Sequence, residues 1–274
     1  MLRALYESGI AADLLVGTSA GALNAAFVAS RPQTVATANE LARVWRGLQR
    51  EDVFPVSMRT LVGGLCGRRD HLVPDRGLRG LVARHVEFQD VADARIPLHV
   101  VAFDLNEGCE VLLSEGPAVD VIAATSAVPG LLPPVRIDER ELIDGGVVNN
   151  TPISHAVALG AERVFVFPTQ AGQRSPKRAP RGALEAGIQG LTLLTDRRLE
   201  WDVACYTNDV ELILLPAPNP TQVQPTDFDQ ASRLIWQALT ATRAFLAQRG
   251  TAVTERAVER PKGIDPPIAT RLAA

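Results

Sequence analysis

One short stretch limits the folds open to this chain more than any other: Leu14-Leu15-Val16-Gly17-Thr18-Ser19-Ala20-Gly21-Ala22-Leu23-Asn24-Ala25-Ala26. An apolar run, a serine flanked by glycines and a series of small helix-favouring residues read as a buried strand turning sharply into a helix, with Ser19 at the bend. Such a turn brings backbone against backbone, so a Cβ at Gly17 or at Gly21 is expected to collide with its neighbours. The bend holds the serine hydroxyl clear of the sheet. The first amides of the helix have no intrahelical partner and sit at the positive end of its dipole, where an anion forming beside Ser19 is stabilised. The amide of Ala20, next to the serine, is the assignable donor. A G-x-S-x-G match also fits a plain Gly-Ser-Gly turn, and the strand before it and the Ala-rich helix after it favour the nucleophile reading.

Around this elbow the pattern alternates strands and helices. The first residues read as a helix ending at Gly9, and an amphipathic helix runs from Val35 to about Trp45. Residues 51–80, with Phe54-Pro55, Gly63-Gly64 and Pro74, read as irregular, either a cap over a site or a surface excursion. Strands are expected at 97–104 and 110–114, joined by a turn at Asn106-Glu107-Gly108, followed by a helix from about Ala118 to Ala127. Leu131 to Val135 must be extended, because proline and the residue before it avoid helix. Glu141-Leu142-Ile143 forms a short strand that delivers Asp144, and Gly145-Gly146 let the backbone turn at once. Asp144 thus leaves a strand end much as Ser19 does, where open α/β sheets gather their ligands. A helix from 153 to 159, a strand at 163–167, a helix over 183–205 and a strand at 210–215 continue the alternation. Asp227 with Gln230 reads as a capping start for a last helix to about Gln248. The basic loop 170–181 reads as a solvated linker.

The length of 274 residues, with 46% hydrophobic and 22% charged side chains, suits one large α/β domain. The domain is expected to span 1–217, with a helical extension over 218–260 packed on it and a loose tail over 261–274. A formal net charge of −3 with dispersed basic residues gives no footing for nucleic acid. Cys66, Cys109 and Cys205 are widely spaced and match no metal pattern, which reads as structural thiols in a reducing compartment. Neither a membrane span nor a signal peptide is visible, so a cytoplasmic protein is expected.

Three motifs in order, Gly17-Thr18-Ser19-Ala20-Gly21-Ala22-Leu23-Asn24-Ala25-Ala26, then Ala124-Thr125-Ser126-Ala127-Val128-Pro129-Gly130 with Pro133-Pro134, then Asp144-Gly145-Gly146-Val147-Val148-Asn149-Asn150-Thr151-Pro152, resemble the bacterial patatin-like phospholipases. The resemblance is close to about Phe167 and weaker beyond it. It implies a three-layer α/β/α sandwich with a mostly parallel central sheet. It also implies an acyl hydrolase with a Ser-Asp dyad, Ser19 as nucleophile and Asp144 as general base, and neither metal nor cofactor. Gly17, Ala20 and Gly21 then belong to the elbow and oxyanion site, and Gly145 and Gly146 support the acid. The implied substrates are phospholipids or other lipid acyl esters, with transient contact at a membrane surface. Thr125 stands where the family usually has serine, and Leu132 where phenylalanine is frequent. An aspartate in this role must lie within about 3 Å of the serine hydroxyl, and burial raises its affinity for the proton.

The family's glycine-rich loop with its arginine has no counterpart here, since the chain begins inside the helix that follows it. The expectation is a natural chain starting further upstream; the alternative is a weakened lipid-binding or regulatory domain. A Ser-Asp-His hydrolase is a rival in which His155, the one histidine after Asp144, would act, although its helix marks it as a packed or surface residue. His71, His85 and His99 have no metal-ligand partners at useful spacing. A turn aspartate bonding its own backbone is the plain reading of Asp144.

Overall fold

The computed structural model describes residues 1–55, 60, 62, 66, 70–168, 182–218 and 228–252. In chain order the elements are α1 (Leu2–Glu7), β1 (Leu15–Thr18), α2 (Ala20–Ala29), α3 (Val35–Gly47), α4 (Arg50–Val53), α5 (Arg76–His85), β2 (Leu98–Asp104), β3 (Cys109–Leu113), α6 (Ala118–Thr125), β4 (Val135–Ile137), β5 (Arg140–Asp144), α7 (Ile153–Ala158), β6 (Arg163–Val166), α8 (Ala183–Tyr206), β7 (Glu211–Leu214) and α9 (Ala231–Ala252). Local chemistry sets several boundaries. The Thr34 hydroxyl accepts the Thr37 amide at the start of α3, and Gly9 and Gly160 follow α1 and α7 at φ +70° and +86°, where a side chain would be strained.

Strand β2 is the axis of the main sheet. Leu98, Val100, Val101 and Ala102 are all buried, which requires cover on both faces and explains why the strand reads as a continuous apolar run. On one face Leu98 and Val100 pack with Ala22 and Ala26 of α2, Leu78, Leu81 and Val82 of α5, and Val121 and Ile122 of α6. Ala102, further along, packs with Ala123, Ala124, Val135 and Leu142. On the other face His99 lies toward His155 of α7, whose charge bears on it. A second pair, β6 and β7, runs parallel, and Ile213 and Leu215 pack with Leu5 of α1 and Phe245 of α9. Helices on both faces make the α/β sandwich expected from sequence.

The sheet itself is mixed, where a mostly parallel one was expected. β1 runs parallel to β2, but β3 and β5 pair antiparallel to β2, and β4 pairs antiparallel to β5. The connections account for two of these pairings: β2 to β3 and β4 to β5 are joined by short turns, which only antiparallel neighbours permit.

Residues 51–80 differ from the irregular excursion expected. Part of the stretch is helix α4 and the start of α5, and Val53, Val73 and Leu78 enter the core. The amides of Leu72 and Val73 donate to the Leu131 carbonyl, tying the segment beside the chain that follows Pro129. Gly63-Gly64, the basic loop 170–181, Asp227 and the tail 261–274 lie outside the described residues; the last helix is described from Ala231.

Candidate active site

Two strands meet head-on along one edge of β2. Leu15–Thr18 pair in parallel with Leu98–Val101, so Thr18 stands opposite Val101. Leu142–Asp144 pair antiparallel with Asp104–Ala102, so Asp144 stands opposite Ala102. β3 occupies the other edge, pairing with Val100 to Asp104. The C-terminal ends of β1 and β5 therefore abut over a single peptide of β2. Ser19 and Asp144, 125 positions apart in sequence, meet there, and the Ser19 hydroxyl donates to Asp144 Oδ2 at 2.7 Å.

Close approach demands glycine at two of the positions. A Cβ on Gly17 would lie 2.7 Å from the Ala22 backbone, and one on Gly145 would sit against the Val101 carbonyl, 2.7 Å from its carbon. Gly146 is less tight, its Cβ position 3.0 Å from Asp144 Oδ1; its amide donates to that oxygen at 2.7 Å. Gly21 departs from expectation. Among the described residues nothing comes within 4 Å of its Cβ position, because it lies on the exposed side of the first turn of α2.

Ser19 takes φ 54° and ψ −126°, a backbone state that costs a non-glycine residue about 1–3 kcal/mol and needs support from its surroundings. Its amide donates to Thr125 Oγ1 at 2.9 Å, and the Thr18 hydroxyl donates to the Asn149 carbonyl at 2.8 Å. The first intrahelical bond of α2 is from the Leu23 amide to the Ser19 carbonyl, 3.1 Å. The amides of Ala20, Gly21 and Ala22 precede it, with no capping side chain. Ala20 and Gly21 are exposed at the mouth of the elbow.

Asp144 is 5% exposed. Burial pushes its carboxyl up to about 6 from an ordinary 3.8, against the opposing pull of the hydrogen bonds from Ser19 and the Gly146 amide. Loss of hydration penalises the charged form more than two donors restore it. The result is a carboxylate with heightened proton affinity, bonded to a serine hydroxyl at a strand–helix bend.

His155 is held elsewhere. Its Nε2 bonds Glu110 Oε1, and the Asn149 side-chain amide donates to the same oxygen at 2.7 Å. Burial works to raise the Glu110 carboxyl, but the His155 and Asn149 contacts outweigh it and hold it below its ordinary value. His155 thus belongs to a polar cluster between β3 and α7 rather than to the Ser19–Asp144 pair. Sequence reasoning missed Val101, the peptide on which the two strand ends converge, and Asn149, which supports the elbow. An apolar β2 residue carries no sign of such a role, since only strand register confers it.

The strand order, the elbow and the buried acid define an α/β protein built to present a serine hydroxyl beside a carboxylate. A family profile described as "Patatin-like phospholipase" matches residues 1–157, and the chain belongs to that family. Among its relatives is an uncharacterised NTE family protein of Mycobacterium tuberculosis (strain CDC 1551 / Oshkosh), 28% identical over 264 residues, covering 88% of this chain and 42% of that protein. A "Lysophospholipase NTE1" of Mycosarcoma maydis is 27% identical over 172 residues, 60% of this chain and 8% of that one. "Patatin-like phospholipase domain-containing protein 6" of Homo sapiens is 28% identical over 177 residues, 61% of this chain and 12% of that protein. The chain therefore spans less than half the length of these relatives.

Proposed function

We propose that the chain is a serine acyl hydrolase that cleaves carboxylic esters of lipids through Ser19 and Asp144. The observation that carries this reading is the 2.7 Å bond from Ser19 Oγ to a buried carboxylate whose proton affinity is raised to about 6. As Ser19 Oγ attacks the ester carbonyl, Asp144 takes the hydroxyl proton, and the oxyanion forms near the amides of Ala20 and Gly21 at the positive end of α2. Collapse expels the alcohol, which receives the proton from Asp144, and leaves the acyl group on Ser19. Water then attacks the acyl-enzyme while Asp144 again takes a proton, and the released Ser19 recovers it as the fatty acid departs. The Gly146 amide on Oδ1 leaves Oδ2 aimed at the serine.

Lysophospholipids are the first substrates to test, because a relative bears that activity in its name. Transient contact with a lipid surface is supported by α8, where Leu194 and Trp201 are 67% and 55% exposed. Seven residues apart, they lie on one helical stripe. No described helix is long and apolar enough to cross a membrane.

The test is covalent labelling by a fluorophosphonate probe and hydrolysis of a lysophospholipid, on the wild type and on Ser19→Ala and Asp144→Asn. Labelling and turnover lost in both variants support the dyad. Ester cleavage that survives Ser19→Ala would refute it.

A further inference from the structure

The strained elbow and the acid are joined by one residue that the reaction itself does not use. Thr125 is the last residue of α6 and fully buried. Its hydroxyl accepts the Ser19 amide at 2.9 Å and donates to the Val101 carbonyl. The one hydroxyl proton is spent on Val101, so a lone pair is left facing Ser19 and the orientation is set. That carbonyl is also the group against which Gly145 is pressed. Two residues on, the Ala127 carbonyl accepts the Asp144 amide at 3.0 Å. Ala123, Ala124 and Ala127 are buried and small, which lets the end of α6 reach the sheet where β1 and β5 meet.

We propose that Thr125 is the positioning residue of the dyad: it holds the elbow at positive φ and fixes Ser19 relative to the strand that carries Asp144. The inference rests on the Ser19–Asp144 reading and adds to it. The Ser19 amide is spent on Thr125, so the elbow's donors for an oxyanion are the amides of Ala20 and Gly21, exposed residues that precede the first intrahelical bond of α2.

The experiment compares the wild type with Thr125→Val, which keeps the shape and removes the hydroxyl, and with Thr125→Ser, which restores it. Steady-state hydrolysis, fluorophosphonate labelling and amide hydrogen exchange at Ser19 are measured on each. Thr125→Val is expected to lower kcat and labelling rate about tenfold to a hundredfold with KM within about twofold, as misplacement of a reacting group does. Thr125→Ser is expected to recover most of the loss. A residue that merely fills space would not show the rescue or the kcat-only effect. Labelling of Thr125→Val at the wild-type rate overturns the proposal. So does a Ser19 amide that exchanges at unprotected rates in the wild type, a readout that stands even if the valine variant does not fold. An unlabelled wild type whose Ser19 amide still depends on Thr125 removes the hydrolase reading and leaves the positioning role supported.

Discussion

Replacing Asp144 by asparagine should make the protein more stable and nearly inactive, and the gain should depend on pH in a way set by the buried carboxyl. In the unfolded chain this group releases its proton near 3.8, whereas in the folded protein it holds it up to about 6. Between these values the folded state binds more protons than the unfolded one, so stability falls as pH rises through the window. Above about pH 6 the full penalty stands, roughly 3 kcal/mol at about 1.4 kcal/mol per pH unit. An amide carries no charge; its oxygen can keep the Gly146 amide and its NH2 can face Ser19 Oγ. The variant forgoes charge-assisted bonds, so a net gain of about 1–3 kcal/mol is expected at pH 8. That gain should fade on acidification and be mostly gone near pH 4, where the folded wild type is neutral at this position and its unfolded chain is about half ionised. Urea unfolding of wild type and variant from pH 4 to pH 8 measures it directly. A difference independent of pH, or a variant less stable at pH 8, would refute the account of Asp144 as a desolvated anion. In parallel, loss of the base should lower kcat/KM by about a hundredfold to ten-thousandfold, and wild-type activity should rise with pH through an inflection near 6.

The glycines of the site divide sharply: Gly145→Ala, whose Cβ meets the Val101 carbonyl, should destabilise by about 1–3 kcal/mol or more in urea unfolding. Gly21→Ala, in open space in the first turn of α2, should be neutral or stabilising by up to about 1 kcal/mol in the same assay. His155→Gln, bonded to Glu110 and not to Asp144, should label with fluorophosphonate within a few-fold of wild type and keep the inflection near 6; loss of labelling would favour a Ser-Asp-His triad. Serine at both Leu194 and Trp201 should weaken binding to phospholipid vesicles by about tenfold or more while sparing hydrolysis of a soluble short-chain ester.

The sequence alone determined the local geometry on which the candidate site depends. A three-residue apolar run followed by Gly-Thr-Ser-Ala-Gly and alanines has few ways to fold other than strand, bend and helix, and Asp144-Gly145-Gly146 ends a strand for the same steric reason. Boundaries set by glycine and proline, such as Gly9, Gly108 and Gly160, were legible because backbone sterics act over one or two residues. The mixed sheet and the helical ends of residues 51–80 were not. These depend on which edge of β2 receives each strand and on which faces remain to be covered. Thr125 shows the boundary most clearly. In sequence it is one letter of a motif; only the approach of α6 to the abutting ends of β1 and β5 gives its hydroxyl an amide to accept and a carbonyl to bind. Local sterics are written in adjacent residues, whereas the pairing of strand ends 125 positions apart is decided by register and burial across the whole sheet.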